Sequence, residues 1–298
     1  MLRELLRAKE IQLAGAVRST RVISPRYGFL RGALEQWRRS GLAYTAYLGC
    51  ALLPRLPSAG LPVHATRDVN DAQGRAFIER LAPELLVTAF FNQRVGAWAR
   101  GVNLHPSLLP ALRGTDPVFR ALARGERRLG VTLHRLAPEL DAGDIVAQRA
   151  WRIGPRDTAR ELFFRAVEET KILLREVWPA IRSGTAPRIP QDERSATYRG
   201  RRRPEDGRID WNVASRRIDG LVRAVTDPFP GAFTFLGGRK LMIWEGRPAD
   251  GRGTPGVLID DSLVATADGA YRIERCAFED DPSASPLLSR GSRFGESV

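Results

Sequence analysis

Between residues 76 and 184, short apolar runs alternate with turn signals and end in one long amphipathic segment. No other feature restricts the fold of this chain as tightly. "AFIERLAPELLVTAFF" at 76–91 reads as a helix end, a turn at Pro83 and a buried strand. "GVNLHPS" follows as a short strand and its exit. "LGVTLHRL" at 129–136 and "DIVAQRAWRI" at 144–153 are two more strands, alternating or β-branched. Residues 156–184 are the clearest helix: Thr158 and Glu161 form a capping box, apolar residues recur at Leu162, Val167, Leu174 and Ile181, and Gly184 ends it. Strands alternating with helices predict an α/β fold of Rossmann-like type, a mostly parallel sheet with helices on both faces.

Upstream, the first ten residues read as an amphipathic helix with Leu2, Leu5 and Leu6 on one face, and "IQLAGAV" at 11–17 as a short strand. Residues 29–53 are basic and then apolar. They fall short of the about 18 apolar residues a spanning helix needs, so a buried helix is expected, with a membrane-surface contact as the alternative. The character changes again after residue 185. "TAPRIPQDERSATYRGRRRPED" at 185–206 is polar, basic and proline-bearing, as a linker would be. Beyond it come a helix near 211–225, a hairpin turning at Gly237-Gly238, and the strand-like "GVLID", "SLVAT" and "AYRIERCAF". The expected division is 1–185, a linker at 186–206, and a small β-rich unit at 207–298.

Composition limits the chemistry. Cys50 and Cys276 are far apart in apolar stretches, which excludes a disulfide framework and fits a reducing cytosol. The chain has neither a G-x-G-x-x-G nor a P-loop, and three scattered histidines argue against a metal. The formal net charge of +13 suits acidic partners such as tRNA, nucleotide diphosphates or anionic lipid, though an arginine-rich coding bias gives the same count. What remains is "NLHPSLLP" at 103–110. Asn103 and His105 are two apart in an extended segment and so share a face. Pro106 stops the strand beside them. The crevice beyond the carboxyl ends of such strands is the usual ligand site of an open α/β sheet. Asp141, before a glycine turn in "LDAGDIVAQ", can point back into that crevice, and Asp144 is the weaker candidate.

Residues 103–148 carry Asn-x-His-Pro-Ser-Leu-Leu-Pro, then Arg-Gly, Gly-Val-Thr-x-His and Asp-x-Gly, in that order. This run closely resembles the core of the formyltransferases that use 10-formyltetrahydrofolate, and a looser resemblance extends from about residue 11 to about residue 275. The resemblance implies Asn103, His105 and Asp141 as catalytic residues. Asn103 and a protonated His105 would donate to the developing oxyanion, the imidazolium would protonate the leaving N10, and the attacking amine would lose its proton through a water held by Asp141. A carboxylate beside His105 would raise its pKa. His134 would buttress the strand or the site. Folate would lie against two loops, at Phe90, Phe91 and Asn92 and at Leu136, Leu140 and Gly143. Ser107, Arg113, Gly114, Arg201 and Arg202 would meet the acceptor, with Arg199 and Arg203 near its entrance. No metal is needed.

The segments "RRRPEDGRIDW" at 201–211 and "LVRAVTDPFPGAFTFLGGRKLMIW" at 221–244 resemble the C-terminal, OB-like domain of an amino-arabinose formyltransferase acting on a UDP-sugar and, less closely, that of methionyl-tRNA formyltransferase. An amino-sugar nucleotide or similar small phosphorylated amine is the expected acceptor. Charged tRNA is the alternative. Family members begin with a β-strand, whereas this chain begins at the helix, so the resemblance implies a start upstream or a sheet without its first strand. In the second case the chain would be an inactive folate- or nucleotide-binding module.

Overall fold

The computed structural model describes residues 12–19, 60–91, 93–95, 100–282 and 286–295. The expected opening helix, the 29–53 stretch with Cys50, Asn92 and the side chain of Arg199 lie outside the described residues. The early strand is found at β1 (Ala16–Ser19), slightly later than expected, and it pairs in parallel with β2 (Val63–Thr66). Helix α1 (Ala72–Leu81) starts where the Asp71 carboxylate accepts from Gly74 N and stops at Ala82, which is left-handed.

The central sheet runs β3 (Leu86–Ala89), β4 (Gly101–His105), β6 (Arg128–Arg135), β7 (Ile145–Arg152) in that spatial order. β3 and β4 are parallel. β6 is antiparallel to β4, and β7 is antiparallel to β6, to which a short connection returns it in the opposite sense. Between β4 and β6 lie the two-residue β5 (Arg113–Gly114) and helix α2 (Pro117–Ala123). The sheet's Val102, Leu104, Val131 and Leu133 are buried. The long helix α3 (Ala159–Ser183) packs on β6 and β7. Its capping box forms as its sequence predicts, with Glu161 N donating to Thr158 Oγ1 and Thr158 N donating to Glu161 Oε2. Gly184 closes it at φ 75°.

Residues 186–206, the expected linker, contain regular structure. They carry β8 (Tyr198–Arg199), which pairs in parallel with β5. After helix α4 (Ser215–Val225) come β9 (Ala232–Leu236), β10 (Arg239–Ala249), β11 (Leu263–Ala265) and β12 (Ala270–Phe278), an antiparallel half-barrel in the order β11-β12-β10-β9. The β9–β10 turn is Gly237-Gly238, with both φ positive as this tight hairpin requires. Of the expected strand "GVLID", only isolated bridges at Val257 and Leu258 form. One apolar core runs from Val102 and Leu133 in the central sheet to Trp211, Ile243 and Tyr271 by the half-barrel. Among the described residues no helix is long and apolar enough to cross a membrane.

Candidate active site

Strand register builds the site. Thr88 on β3 is opposite Asn103 on β4, and Asn103 is opposite His134 on β6, so one row of side chains crosses three strands. Thr88 Oγ1 donates to Asn103 Oδ1 at 2.8 Å, which aims the amide nitrogen the other way. His134 Nδ1 lies 2.9 Å from the Arg135 carbonyl, an acceptor only, so Nδ1 carries hydrogen. Asn103 Nδ2, a donor only, lies 3.0 Å from Nε2, which therefore accepts from it. Asn103 Nδ2 also donates to Asp141 Oδ1 at 3.3 Å.

His105 is next on the same face of β4 and is 5% exposed. The segment after Pro106 folds back over it. Thr132 Oγ1 donates to Ser107 O and accepts from Leu109 N, and the segment returns to place the Leu112 carbonyl 2.9 Å from His105 Nε2. A carbonyl can only accept, so the Nε2 hydrogen is fixed there. Nδ1, the basic atom of the neutral ring, faces Asp141 Oδ2 at 3.6 Å. Asp141 arrives from the β6–β7 connection with φ 54°. Its Oδ2 also accepts from Gly114 N at 2.8 Å. Gly143 allows this turn because a Cβ there would lie 1.9 Å from Arg135 O.

The charges settle differently from the sequence expectation. Burial pushes the His105 imidazole below its ordinary value, although Asp141 and the Leu112 carbonyl pull the other way. The expectation that Asp141 would hold His105 protonated is therefore corrected: desolvation of a nearly enclosed ring outweighs one carboxylate. Burial works to raise Asp141. The neighbouring His134 and His105 rings and the Gly114 amide outweigh it and hold the carboxyl below its usual range. The site thus pairs a neutral imidazole with an ionised carboxylate whose side chain is 9% exposed.

Of the other expected site residues, Phe90 and Phe91 are half-buried in the loop after β3. Phe90 has φ 49° and meets Phe163 of α3 edge-on. Leu136 and Gly143 are at the base of the Asp141 loop, and Leu140 is 43% exposed on it. Two of the expected substrate contacts are enclosed. Ser107 is buried, with its hydroxyl donating to Ala111 O, so it shapes the loop. Arg113 is 0% exposed, and its guanidinium is taken up by Gln191, Glu193 and Tyr198. Gly114 serves through its backbone N–H to Asp141. Arg201 and Arg203 are exposed, whereas the Arg202 guanidinium lies over the Phe119 and Phe229 rings at 4.7 and 5.1 Å. Thr88 and Gln191 were not singled out from sequence, since neither carries a charge or a motif of its own. Among the described residues no group of three His, Cys, Asp or Glu side chains could hold a metal ion.

Known proteins share both halves of this architecture. Residues 61–177 match the model of the family described as formyl transferase, and residues 202–286 match that of the formyl transferase C-terminal domain. Among solved structures, the chain resembles WlaRD, a sugar 3N-formyl transferase, at 17% identity and TM-score 0.59, covering 89% of this chain and 88% of that one. It resembles an N-formyltransferase from Helicobacter canadensis at 17% identity and TM-score 0.57, over 89% of this chain and 100% of that one. HypX from Aquifex aeolicus matches at 22% identity and TM-score 0.55, over 89% of this chain. This chain spans only 44% of HypX. The two family matches together take in more than half of the sequence, and on them this chain belongs to the formyl transferase family.

Proposed function

We propose that this chain transfers a formyl group from 10-formyltetrahydrofolate to a primary amine, with an amino-sugar nucleotide or similar phosphorylated amine as acceptor. The observation that carries the proposal is the convergence of Asn103, His105 and Asp141 at the carboxyl end of β4, with a neutral basic nitrogen facing an ionised carboxylate. The fit to a folate donor rests on the donor set itself: an amide N–H, an imidazole and a carboxylate suit acyl transfer to an amine without a metal. The donor supplies a formyl carbon bonded to N10, which leaves with a proton.

The residues of this chain move that proton. His105 Nδ1 takes it from the attacking amine, because Nε2 already holds hydrogen against Leu112 O. Asp141, 3.6 Å away, stabilises the resulting imidazolium and turns a lone-pair contact into an ion pair. The imidazolium then returns the proton to the leaving nitrogen. Asn103 Nδ2 keeps one hydrogen on His134. The other, held only by the longer 3.3 Å bond to Asp141, can be shared with the charge that develops on the formyl oxygen.

WlaRD was solved with dTDP and 5-N-formyl-THF, and the Helicobacter canadensis enzyme with folinic acid and dTDP-3-aminofucose; both support the choice of acceptor class and probes. The test is incubation with 10-formyltetrahydrofolate labelled in the formyl group and a panel of dTDP- and UDP-amino sugars, simple phosphorylated amines and charged tRNA. Label in a sugar nucleotide is the expected result. Label in tRNA alone would replace the acceptor. A chain that binds folate but labels nothing would be a binding module.

A further inference from the structure

The strap between the two units reaches the candidate site through one uncharged side chain. Gln191 Nε2 donates to two carbonyls of the catalytic loop, Asp141 O at 2.8 Å and Gly143 O at 2.7 Å. Its Oε1 accepts from Arg113 Nη2 at 2.8 Å and from Arg113 Nε at 3.1 Å. The amide can adopt only this orientation. Reversed, its oxygen would face two carbonyl oxygens and its NH2 would face a guanidinium, which has no acceptor.

Arg113 is fixed in turn. Its guanidinium forks onto Glu193, with Nη2 at 2.7 Å from Oε1 and Nη1 at 3.0 Å from Oε2, and it also bonds the Tyr198 hydroxyl. The next residue, Gly114, holds the Asp141 carboxylate through its N–H at 2.8 Å. Asp141 is therefore gripped twice from one place. Gly114 holds the side chain, and Gln191, on the neighbouring arginine, holds the backbone. The loop needs this grip. Asp141 is at φ 54°, where a residue with a Cβ is disfavoured, and two carbonyls converging on one point repel unless a donor lies between them.

We propose that Gln191 is a positioning residue for the Asp141 carboxylate, so that the strap joining the two units also sets the geometry of the reacting groups. The proposal rests on the reading of Asp141 and His105 as the reacting pair. The groups facing His105 are Asp141 from the loop, His134 from β6, Asn103 on its own strand and the Leu112 carbonyl from the returning loop. Only Asp141 pulls His105 toward its charged form by its own charge. A displaced carboxylate must therefore lower the affinity of His105 for a proton.

The experiment is an NMR titration of the imidazoles, with only three histidines to assign. Gln191→Met is near-isosteric and adds no charge. Asp141→Asn sets the limit of complete loss. In Gln191→Met, His105 is expected to titrate lower than in the wild type by about half a pH unit or more, between wild type and Asp141→Asn. Binding of 5-formyltetrahydrofolate should stay within about threefold, and turnover on whichever acceptor is labelled should fall about tenfold or more. If Gln191→Met does not fold, Gln191→Asn, whose amide cannot reach the loop, carries the same expectation. A wild-type His105 titration in a folded variant overturns the proposal, even where turnover or melting temperature has fallen. The titration needs no acceptor, so a wild type that transfers no formyl group while His105 shifts in the variant would reject the proposed function and leave the positioning role standing.

Discussion

The division of labour between His105 and Asp141 follows from what packs on each side chain. Both act on charge that appears during the reaction, so His105→Ala and Asp141→Asn should each lower turnover by at least about a hundredfold. Folate affinity, measured by fluorescence titration, should stay within a few-fold. Near wild-type turnover in either variant would reject the assignment. Burial of His105 also couples stability to pH. Its folded-state affinity for a proton lies below the ordinary 6.5, so the unfolded chain binds the extra proton first as pH falls. The folded state therefore loses stability on acidification from about pH 6.5 downward. Asp141, also lowered, adds a second loss as pH falls below its ordinary 3.8. Urea midpoints measured on either side of pH 6.5 should fall toward the acid side, and His105→Gln should flatten that fall.

At the scale of elements, local signals did much of the work. Thr158 and Glu161 cap α3 because three residues span one helical turn, a rule that needs no partner from elsewhere in the chain. Replacing Thr158 with Ala should cost about 1 kcal/mol in urea unfolding. The pairing of Gly237 with Gly238 is read as easily, since only such residues take two positive φ in succession at no cost. β6 shows the limit of the alternation rule. Six of its eight residues are buried, because the sheet is covered on both faces. Leu133 at its centre has no exposure, and Leu133→Ala should destabilise the protein by about 2–5 kcal/mol. Strand direction was less legible: nothing within "LGVTLHRL" says that β6 runs against β4. That outcome depends on the length and path of the connection between them.

Over the whole molecule, the boundary we propose at 186–206 separates two units that share one core. The contact of α2 with α4 is close: a Cβ on Gly220 would lie 2.0 Å from Leu122 O. Gly220→Ala should force the two helices apart and lower the calorimetric melting temperature of a single transition, whereas Gly184→Ala meets no neighbour and strains the helix end through its φ of 75° instead. The net charge of +13 bears on the acceptor. A sugar nucleotide offers a couple of phosphate contacts and a shallow loss of affinity with salt, whereas tRNA offers many and a steep one. Acceptor affinity measured across salt, with Arg201 and Arg203 replaced by Ala, should show the shallow slope. A steep slope with tRNA would favour the alternative. An acceptor that ignores both arginines would leave them as solvated charge.

The sequence by itself determined the residues that meet at β4. It also determined the capped helix and the glycine hairpin, because cap and turn depend on neighbours a few residues apart, while Asp141, 38 residues from Asn103, was tied to the pair only by the family resemblance. Only the tertiary structure decided what surrounds those residues. It enclosed Arg113 as a buried tie, left His105 neutral where an adjacent carboxylate alone would have charged it, and laid part of a polar linker as a strap against the catalytic loop. Proton affinity and burial depend on every group packed around a side chain. Those groups come from β3, β6 and residues 189–199, and no local pattern records their arrival.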